Sequence, residues 1–207
     1  MRHATAARGF ALVVSGVVLS LPACTIAPSP GATTVAPADP TTLPPPGHGT
    51  LRQDDVTLTV VSRGLELKVT PLHESVTRVT APDTYGRLSG IAGAHRADAP
   101  DDSRLFLVSF YSTEPNLRFS PEEVQLISRG LRMRPLSILP ITPGWGQNRV
   151  EQRQAEMAVY AFGAEVDLES DLVLAYGFDE TTTWSSLLTR IQAERGRARA
   201  RAGGSSR

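Results

Sequence analysis

The sequence predicts an all-β fold: a single antiparallel β-sandwich, immunoglobulin-like in its strand order, that carries one C-terminal α-helix. Short stretches that alternate apolar and polar residues recur between residues 51 and 180. Turn residues separate these stretches every 8–12 residues or so, which is the spacing typical of sandwiches. The connections are short, which favours antiparallel pairing. After residue 181 the apolar residues change to helical spacing, which predicts the helix.

The N-terminus combines a basic start, an apolar run and the chain's single cysteine. Arg2 and Arg8 precede an apolar run over residues 10–21, which has the length of a secretory signal and is short for a membrane span. Residues 21–24, Leu-Pro-Ala-Cys, then resemble the lipobox of bacterial lipoproteins. In that family the signal is removed before the cysteine, and the thiol carries a diacylglyceryl group.

This resemblance implies that Cys24 is a lipidated mature N-terminus and that a lipid bilayer is a partner. Two or three acyl chains would anchor the protein durably. If the cell is Gram-negative, Thr25 favours the outer membrane, facing the periplasm, because the inner-membrane retention signal usually has Asp there. The alternative is a plain secreted protein with an incidental cysteine.

The segment that follows Cys24 has the composition of a tether. Seven of the 16 prolines lie between Pro28 and Pro46, and Asp39 is the one charged residue between positions 25 and 50. Such a segment buries too little apolar surface to offset the entropy lost on ordering, so we expect it to be disordered. A proline-rich ligand for a partner is the alternative.

The first part of the body predicts a hairpin and then a loop. Val56–Val61 and Leu65–Thr70 alternate apolar and polar residues around a turn at residues 62–64. Val76–Thr80 is a third candidate strand. Residues 81–103 are rich in Gly, Asp and Pro, which predicts a long loop of the kind that is often functional or disordered.

The second part predicts the centre of the sheet. Arg104–Tyr111 is almost continuously apolar, which indicates a central, buried strand. Prolines at 135, 140 and 143 predict an edge strand or an irregular crossover. We expect Trp145, in the following turn, to cap the core rather than to serve as an exposed recognition residue. Further strands are predicted over 122–128, 131–136, 156–162 and 171–177.

The order of these strands is similar to that of bacterial lipoproteins with an immunoglobulin-like periplasmic domain. The matching segments are Leu105–Tyr111, Phe119–Leu131, Met157–Phe162 and Leu172–Tyr176. The Cys…Trp…Cys core of true immunoglobulin domains is absent from the sequence. The resemblance implies an interaction module, and it brings no active site to this chain.

An apolar stripe follows Thr181–Thr183, which offers an N-cap. Its members lie at i, i+3, i+4 and i+7, and we expect them to pack on a sheet or cover its edge: Trp184, Leu187, Leu188 and Ile191. A partner-binding or membrane-surface helix is the alternative. Arg195 interrupts the stripe and Gly196 weakens the helix. The helix is therefore predicted to end near residue 195, before a mobile basic tail.

Charge is segregated along the chain, although the formal net charge is zero. Residues 25–183 carry 13 basic and 20 acidic side chains, whereas residues 184–207 carry six arginines against Glu194. The acidic body argues against nucleic acid as a partner. The arginine-rich tail suits anionic lipid headgroups or an acidic surface, and a solvated tail without a partner fits the sequence equally well.

The sequence predicts no catalytic residue, metal or cofactor. The histidines do not pair at zinc spacing. Ser89 lies outside a G-x-S-x-G elbow. Three aspartates of the predicted loop do not match a calcium-binding loop and indicate a solvated acidic turn: Asp98, Asp101 and Asp102. A hydrolase is the least favoured function, and it would have to use scattered acids such as Glu114, Glu122 or Asp179.

Together these observations predict an envelope protein that is held by a lipid at Cys24 and displays a non-catalytic binding module. The alternative is a structural or assembly factor whose arginine-rich tail bridges to an anionic envelope surface. The partner itself is unknown. The predicted segments are a signal peptide (1–23), a tether (24–50), a sandwich (51–180), a helix (181–195) and a basic disordered tail (196–207).

Overall fold

The structure is a computed structural model that describes residues 42–204. Its helices are α1 (Glu74–Thr77), α2 (Pro82–Arg96) and α3 (Trp184–Gly204). Its strands are β1 (Leu58–Ser62), β2 (Leu65–Pro71), β3 (Arg104–Ser112), β4 (Leu117–Arg118), β5 (Val124–Ser128), β6 (Leu131–Met133), β7 (Ser137–Pro140), β8 (Arg149–Val150), β9 (Ala155–Phe162), β10 (Leu172–Tyr176) and β11 (Asp179–Thr181).

Two antiparallel sheets form the centre of the described chain. The larger has the strand order β1-β2-β3-β9-β7, and the smaller has the order β11-β10-β5-β6. A short β4–β8 ladder stands beside them. Both sheets contribute buried side chains to one core, which is the arrangement of a β-sandwich. The predicted antiparallel β fold with a C-terminal helix is therefore confirmed.

The predicted hairpin is confirmed as β1 and β2, with Ser62 opposite Leu65. Arg63 and Gly64 form the two-residue turn, with φ of 48° and 83°. Two positive φ values define a type I′ turn, whose twist matches that of the strands. The hairpin register is thus set by the turn, and it directs Leu58 and Val60 into the core.

Strand β3 is central, as its continuous apolar run predicts. Phe106, Val108 and Phe110 point into the core between the sheets. Leu105 and Leu107 point to the other face, where helix α2 covers them. Both faces of the strand are buried, which explains why its sequence does not alternate.

The loop predicted over residues 81–103 is wrong, because most of it is helix α2. Pro82 begins the helix at a position where its missing N–H costs nothing. Three glycines conceal the helix in the sequence, since glycine disfavours helices: Gly86, Gly90 and Gly93. Leu88 is fully buried against the outer face of the larger sheet, and this packing offsets the weak helix propensity.

The strand predicted over Val76–Thr80 is also wrong. Residues 74–77 form the short helix α1, and the His73 side chain caps it by accepting a hydrogen bond from the Ser75 N–H at 3.2 Å. Histidine is an unusual N-cap, and this local bond is not visible in a period-two pattern. Val76 and Val79 still reach the core, which is why the segment imitates a strand.

Two predictions about the proline-marked segment are confirmed. Strand β7 lies at the edge of the larger sheet and ends at Pro140. Trp145 is buried, and its ring lies 5.1 Å from that of Phe119 and 5.7 Å from that of Phe110. Trp145 therefore closes the core, as expected.

Helix α3 packs on the sandwich, as its apolar stripe predicts. Trp184, Leu187 and Ile191 are buried in the shared core. The predicted end near residue 195 is wrong, because the helix runs to Gly204. Arg195 stays helical because its guanidinium donates to the Ser75 carbonyl at 2.8 Å and pairs with Glu169. Residues 196–204 of the predicted disordered tail are therefore helical.

The boundary predicted at residue 50 between tether and body also needs correction. Residues 42–50 lie against the body and are called the strap here, because hydrogen bonds tie them to Arg78, directly after α1, and to α3. The signal peptide 1–23, the lipidation site Cys24 and tether residues up to 41 lie outside the described residues. Within the described part of the chain, no helix combines the length and hydropathy needed to cross a membrane.

Candidate functional site

An open groove of about 790 Å³ lies at one end of the sandwich. The β1–β2 turn, strand β4, the start of β5 and the β10–β11 turn surround it. The groove is defined by Val61, Ser62, Arg63, Leu65, Leu117, Arg118, Ser120, Glu123, Gln125, Tyr176, Gly177, Phe178 and Asp179. Four separate parts of the chain therefore meet here, and each of them contains or adjoins a paired strand.

The floor of the groove is fixed by aromatic packing. Tyr176 is nearly buried, and its hydroxyl accepts a hydrogen bond from the Ser120 N–H at 3.0 Å. Burial raises the pKa of the Tyr176 hydroxyl, so it stays protonated at neutral pH. Beneath it, the Phe110 ring lies 5.5 Å from Tyr176 and stacks on Phe119 at 4.4 Å. The groove thus has a preorganised base.

The rim of the groove exposes two large apolar side chains. Phe178 is 99% exposed at the tip of the β10–β11 turn, where Gly177 has a φ of 57°. Val61, on edge strand β1, is 68% exposed. Single exposed apolar residues are common, but two that border one groove are typical of an interaction surface.

Charged side chains of both signs complete the rim. Arg63, Arg118, Glu123 and Asp179 are exposed, and within residues 42–204 none of their side chains has a hydrogen bond or an ion pair. Their charges are therefore available to a second molecule. A mixed polar rim around apolar side chains is the usual composition of a protein–protein contact surface.

The opposite end of the sandwich holds the strap. Arg199 donates from Nε to the Thr42 carbonyl at 2.7 Å, and Arg201 donates from Nε to the His48 carbonyl at 3.1 Å. Gly49 approaches Val79 so closely that an added Cβ would lie 2.1 Å from the Val79 carbonyl carbon. The last turns of α3 and the loop after α1 therefore clamp the strap from two sides.

A buried carboxylate links the strap to α3. Glu194 is 1% exposed and accepts a hydrogen bond from the Thr50 hydroxyl at 2.8 Å. Arg201 also donates to it, and Arg197 Nη1 lies 3.5 Å from Oε2. Burial by itself would raise the pKa of Glu194, but the bonds from Thr50 and Arg201 outweigh burial and hold the pKa below its usual value.

The groove and the strap lie at opposite ends of the strands. The Ser112 hydroxyl reaches the Gly64 carbonyl at the groove end, whereas Leu51 bridges to Thr80 at the strap end. Strand β1 runs between these ends, from beside the 3₁₀ turn at Gln53–Val56 to the hairpin turn. Five residues of strand separate the two ends by roughly 15 Å or more.

The acids that the sequence offered for catalysis are scattered. Asp179 lies on the groove rim, Glu114 lies beside Gly64 at the β1–β2 turn, and Glu122 is in the 3₁₀ turn before β5. Among residues 42–204, no three His, Cys, Asp or Glu side chains gather where a metal ion could bind. The loop aspartates lie between α2 and β3 and form no ion pair in the described chain.

Sequence reasoning missed the groove, because its members are far apart in the chain. One signal was available: Gly177-Phe178-Asp179 places a large aromatic residue in a tight turn between two strands. Turn positions are normally polar, so a turn phenylalanine indicates either a buried cap or an exposed contact residue. The structure shows that Phe178 is exposed.

No protein-family model matches this chain, and comparisons with characterised proteins and with solved structures give no match either. The geometry of the groove and the strap is therefore the basis for a functional assignment.

Proposed function

We propose that this protein is a lipid-anchored protein of the bacterial cell envelope, and that its immunoglobulin-like sandwich is a non-catalytic binding module. The lipid is attached at Cys24, and the groove is the surface that contacts a protein partner. The observation that carries this proposal is the exposed Phe178 beside a rigid aromatic floor.

Phe178 supports binding because its exposure has an energetic cost. Burying a phenylalanine side chain is worth about 1.5–3 kcal/mol, and the free protein forgoes that gain. Large aromatic side chains that enter a partner's pocket often contribute most of the binding energy. The unpaired charges of Arg63 and Asp179 around it would provide orientation and specificity.

The position of the strap supports display from a membrane. The chain that leads back to Cys24 enters the body at the strap, and the groove lies at the other end. Eighteen peptide steps separate Cys24 from Thr42, so the distance between them cannot exceed about 65 Å. With a lipid on Cys24, the strap end would face the membrane and the groove would face away from it.

The anchor is tested by fractionating cells that express the wild-type protein or Cys24→Ser. We expect the wild type in the membrane fraction, and Cys24→Ser in the soluble periplasmic or extracellular fraction. Mass spectrometry of the mature N-terminus should find an acylated Cys24. Identical fractionation of the two proteins would contradict the anchor.

The groove is tested by a crosslinking pull-down with wild type, Phe178→Ser and Leu131→Ser. Leu131 is the matched control, because it is 65% exposed but lies at the β5–β6 turn, outside the groove. We expect Phe178→Ser to lose a protein that wild type and Leu131→Ser both capture. If all three capture the same proteins, the groove is not the binding surface.

A further inference from the structure

The β10–β11 turn holds Phe178 in a fixed position beside the groove. Tyr176 and Asp179 lie opposite each other in the ladder, so only two residues form the turn. The first of them, Gly177, has a φ of 57°, and a glycine with positive φ at this position is the pattern of a tight type II′ turn. The exposed Phe178 ring therefore protrudes from a short, paired support at the edge of the groove.

The groove next to this ring has room for a side chain of the same kind. Its lining includes the apolar side chains of Leu65 and Leu117 and the ring of Tyr176, and its volume of about 790 Å³ exceeds that of a phenyl ring. One surface thus carries both a protruding aromatic side chain and an apolar recess. A two-fold symmetric dimer needs such a self-complementary surface, because each copy offers the same patch to the other.

The charges that line the groove are self-complementary as well. Two arginines, Arg63 and Arg118, are matched by two acids, Glu123 and Asp179. Within residues 42–204, none of these side chains has a hydrogen bond or an ion pair, although all four line the same groove. The lining therefore carries no net charge. A second copy would bring two acids for the two arginines and two arginines for the two acids, so that each charge can meet its opposite.

We infer that the partner of the groove is a second copy of this chain, and that two molecules form a two-fold symmetric dimer in which each Phe178 enters the groove of the other. The inference rests on the groove being a contact surface, as proposed above, and it names the partner. The contact would also cover Val61, the second exposed apolar side chain of the rim. Because the symmetry uses each residue twice, one substitution removes two contacts from the dimer.

Sedimentation velocity of the chain from residue 24 carrying Cys24→Ser tests the dimer. Neither an acyl group nor a disulfide can then join two copies. We expect a reversible monomer–dimer equilibrium between micromolar and millimolar concentrations. A monomer at every concentration would overturn the inference. An open series of larger species would overturn it too, since a two-fold contact closes at the dimer.

Two substitutions of exposed apolar residues locate the contact. Phe178 lies at the groove, whereas Leu131 is 65% exposed and lies outside it. In the same chain, we expect Phe178→Ser to weaken dimerisation about a hundredfold or more, because two buried rings are lost. Leu131→Ser should leave the equilibrium unchanged. Equal dimerisation of wild type and Phe178→Ser would show that the groove is not the contact.

A pair of double variants reverses the charges without changing Phe178. One carries Arg63→Glu and Arg118→Glu, and the other carries Glu123→Lys and Asp179→Lys. Each alone should stay monomeric, because like charges would then face each other across the contact. An equimolar mixture should form one-to-one dimers, since its rim charges are opposite. The two-fold contact is wrong if either variant dimerises as well as wild type, or if the mixture stays monomeric.

Hydrogen exchange at low and high protein concentration maps the contact without any substitution in the groove. For the Cys24→Ser chain, we expect added protection at the β1–β2 and β10–β11 turns when the concentration is raised, and none in the strap. Protection confined to the strap, or to strands β6 and β7, would contradict the inference.

The dimer and the proposed binding surface can fail separately. In the crosslinking pull-down, the protein that Phe178→Ser loses should be an untagged copy of the chain itself. If the chain is monomeric and Phe178→Ser still loses a captured protein, the groove binds a different protein and only the dimer is wrong. If Phe178→Ser neither weakens dimerisation nor changes the captured proteins, the groove is not a contact surface and both proposals are wrong.

Discussion

The two ends of the sandwich differ in how far their polar and apolar groups are buried and paired. At the strap end, arginines donate to carbonyls, Glu194 is buried among its partners, and Trp184 is fully covered. At the groove end, Phe178 is exposed and the rim charges have no ion pair within residues 42–204. The charged groups at the strap end have their partners within the chain, whereas the groove end leaves an aromatic side chain and charged side chains exposed. Substitutions at the strap end should therefore change stability, and those at the groove end should change binding.

The largest effect is expected from Trp184→Ala, which removes the side chain that fixes the start of α3. A fully buried tryptophan replaced by alanine typically costs about 3–5 kcal/mol. Urea unfolding measures the loss. Trp184→Phe is the control and should cost clearly less, because it also removes an indole N–H that has no hydrogen-bond partner in the described chain. A loss below about 1 kcal/mol for Trp184→Ala would show that α3 is not part of the cooperative core.

A smaller effect on stability is expected from crowding the close contact between the strap and the body. Gly49→Ala would place a Cβ 2.1 Å from Val79 backbone, and such overpacking costs about 1–3 kcal/mol. Gly86→Ala has open space around it in helix α2, and it should instead stabilise the protein by about 0.5–1 kcal/mol. Thermal unfolding of both variants checks this difference of sign. If both substitutions changed the stability in the same direction, the close contact between the strap and Val79 would be contradicted.

The change in stability with pH that His73 causes at the strap end should be smaller still. Partial burial, and then the nearby Arg104 charge, lower the pKa of His73, whose ring caps α1. A group whose pKa is lowered on folding stabilises the protein fully above its unfolded pKa of about 6.5, and this contribution is lost as the pH falls below that value. Unfolding measured from pH 7.5 to 5 should show this loss, and His73→Asn, which keeps a capping side chain, should reduce it. An unchanged slope would contradict the role of His73.

The smallest effect on stability is expected from Phe178→Ser, because the ring makes little contact with the body. The free energy of unfolding should stay within about 0.5 kcal/mol of wild type, as is usual at exposed positions. The same urea titration measures it. A large loss would mean that Phe178 supports the fold, and the contrast between the two ends would then fail.

The sequence predicted those elements whose pattern reflects their burial. The β1–β2 hairpin, the apolar strand β3 and the stripe of α3 are confirmed because burial on one or both faces leaves a periodic trace. Helix α2 was not predicted, because three glycines lower its helix propensity and the few contacts of Leu88 stabilise it. The true end of α3 was not predicted, because arginines stand in place of apolar residues where the helix contacts main-chain carbonyls.

The candidate site was harder to predict than the fold. The groove joins four turns and strand ends, and no local pattern records which of them meet. Phe178 offered a signal, but a turn aromatic can fold inward, as Trp145 does. Only the relative positions of the sheets distinguish the two outcomes.

The clamp between the strap and α3 joins the start of the described chain to its end. Thr42 and Arg199 are 157 positions apart, and the arginine is made long after the threonine has left the ribosome. The strap therefore cannot form its hydrogen bonds with α3 until almost the whole domain has been synthesised. A chain shortened before Arg199 would lose the bonds from Arg199 and Arg201 to the strap, and the strap would keep those to Arg78 and Glu194. The last turns of α3 thus complete the attachment of the strap only at the end of synthesis.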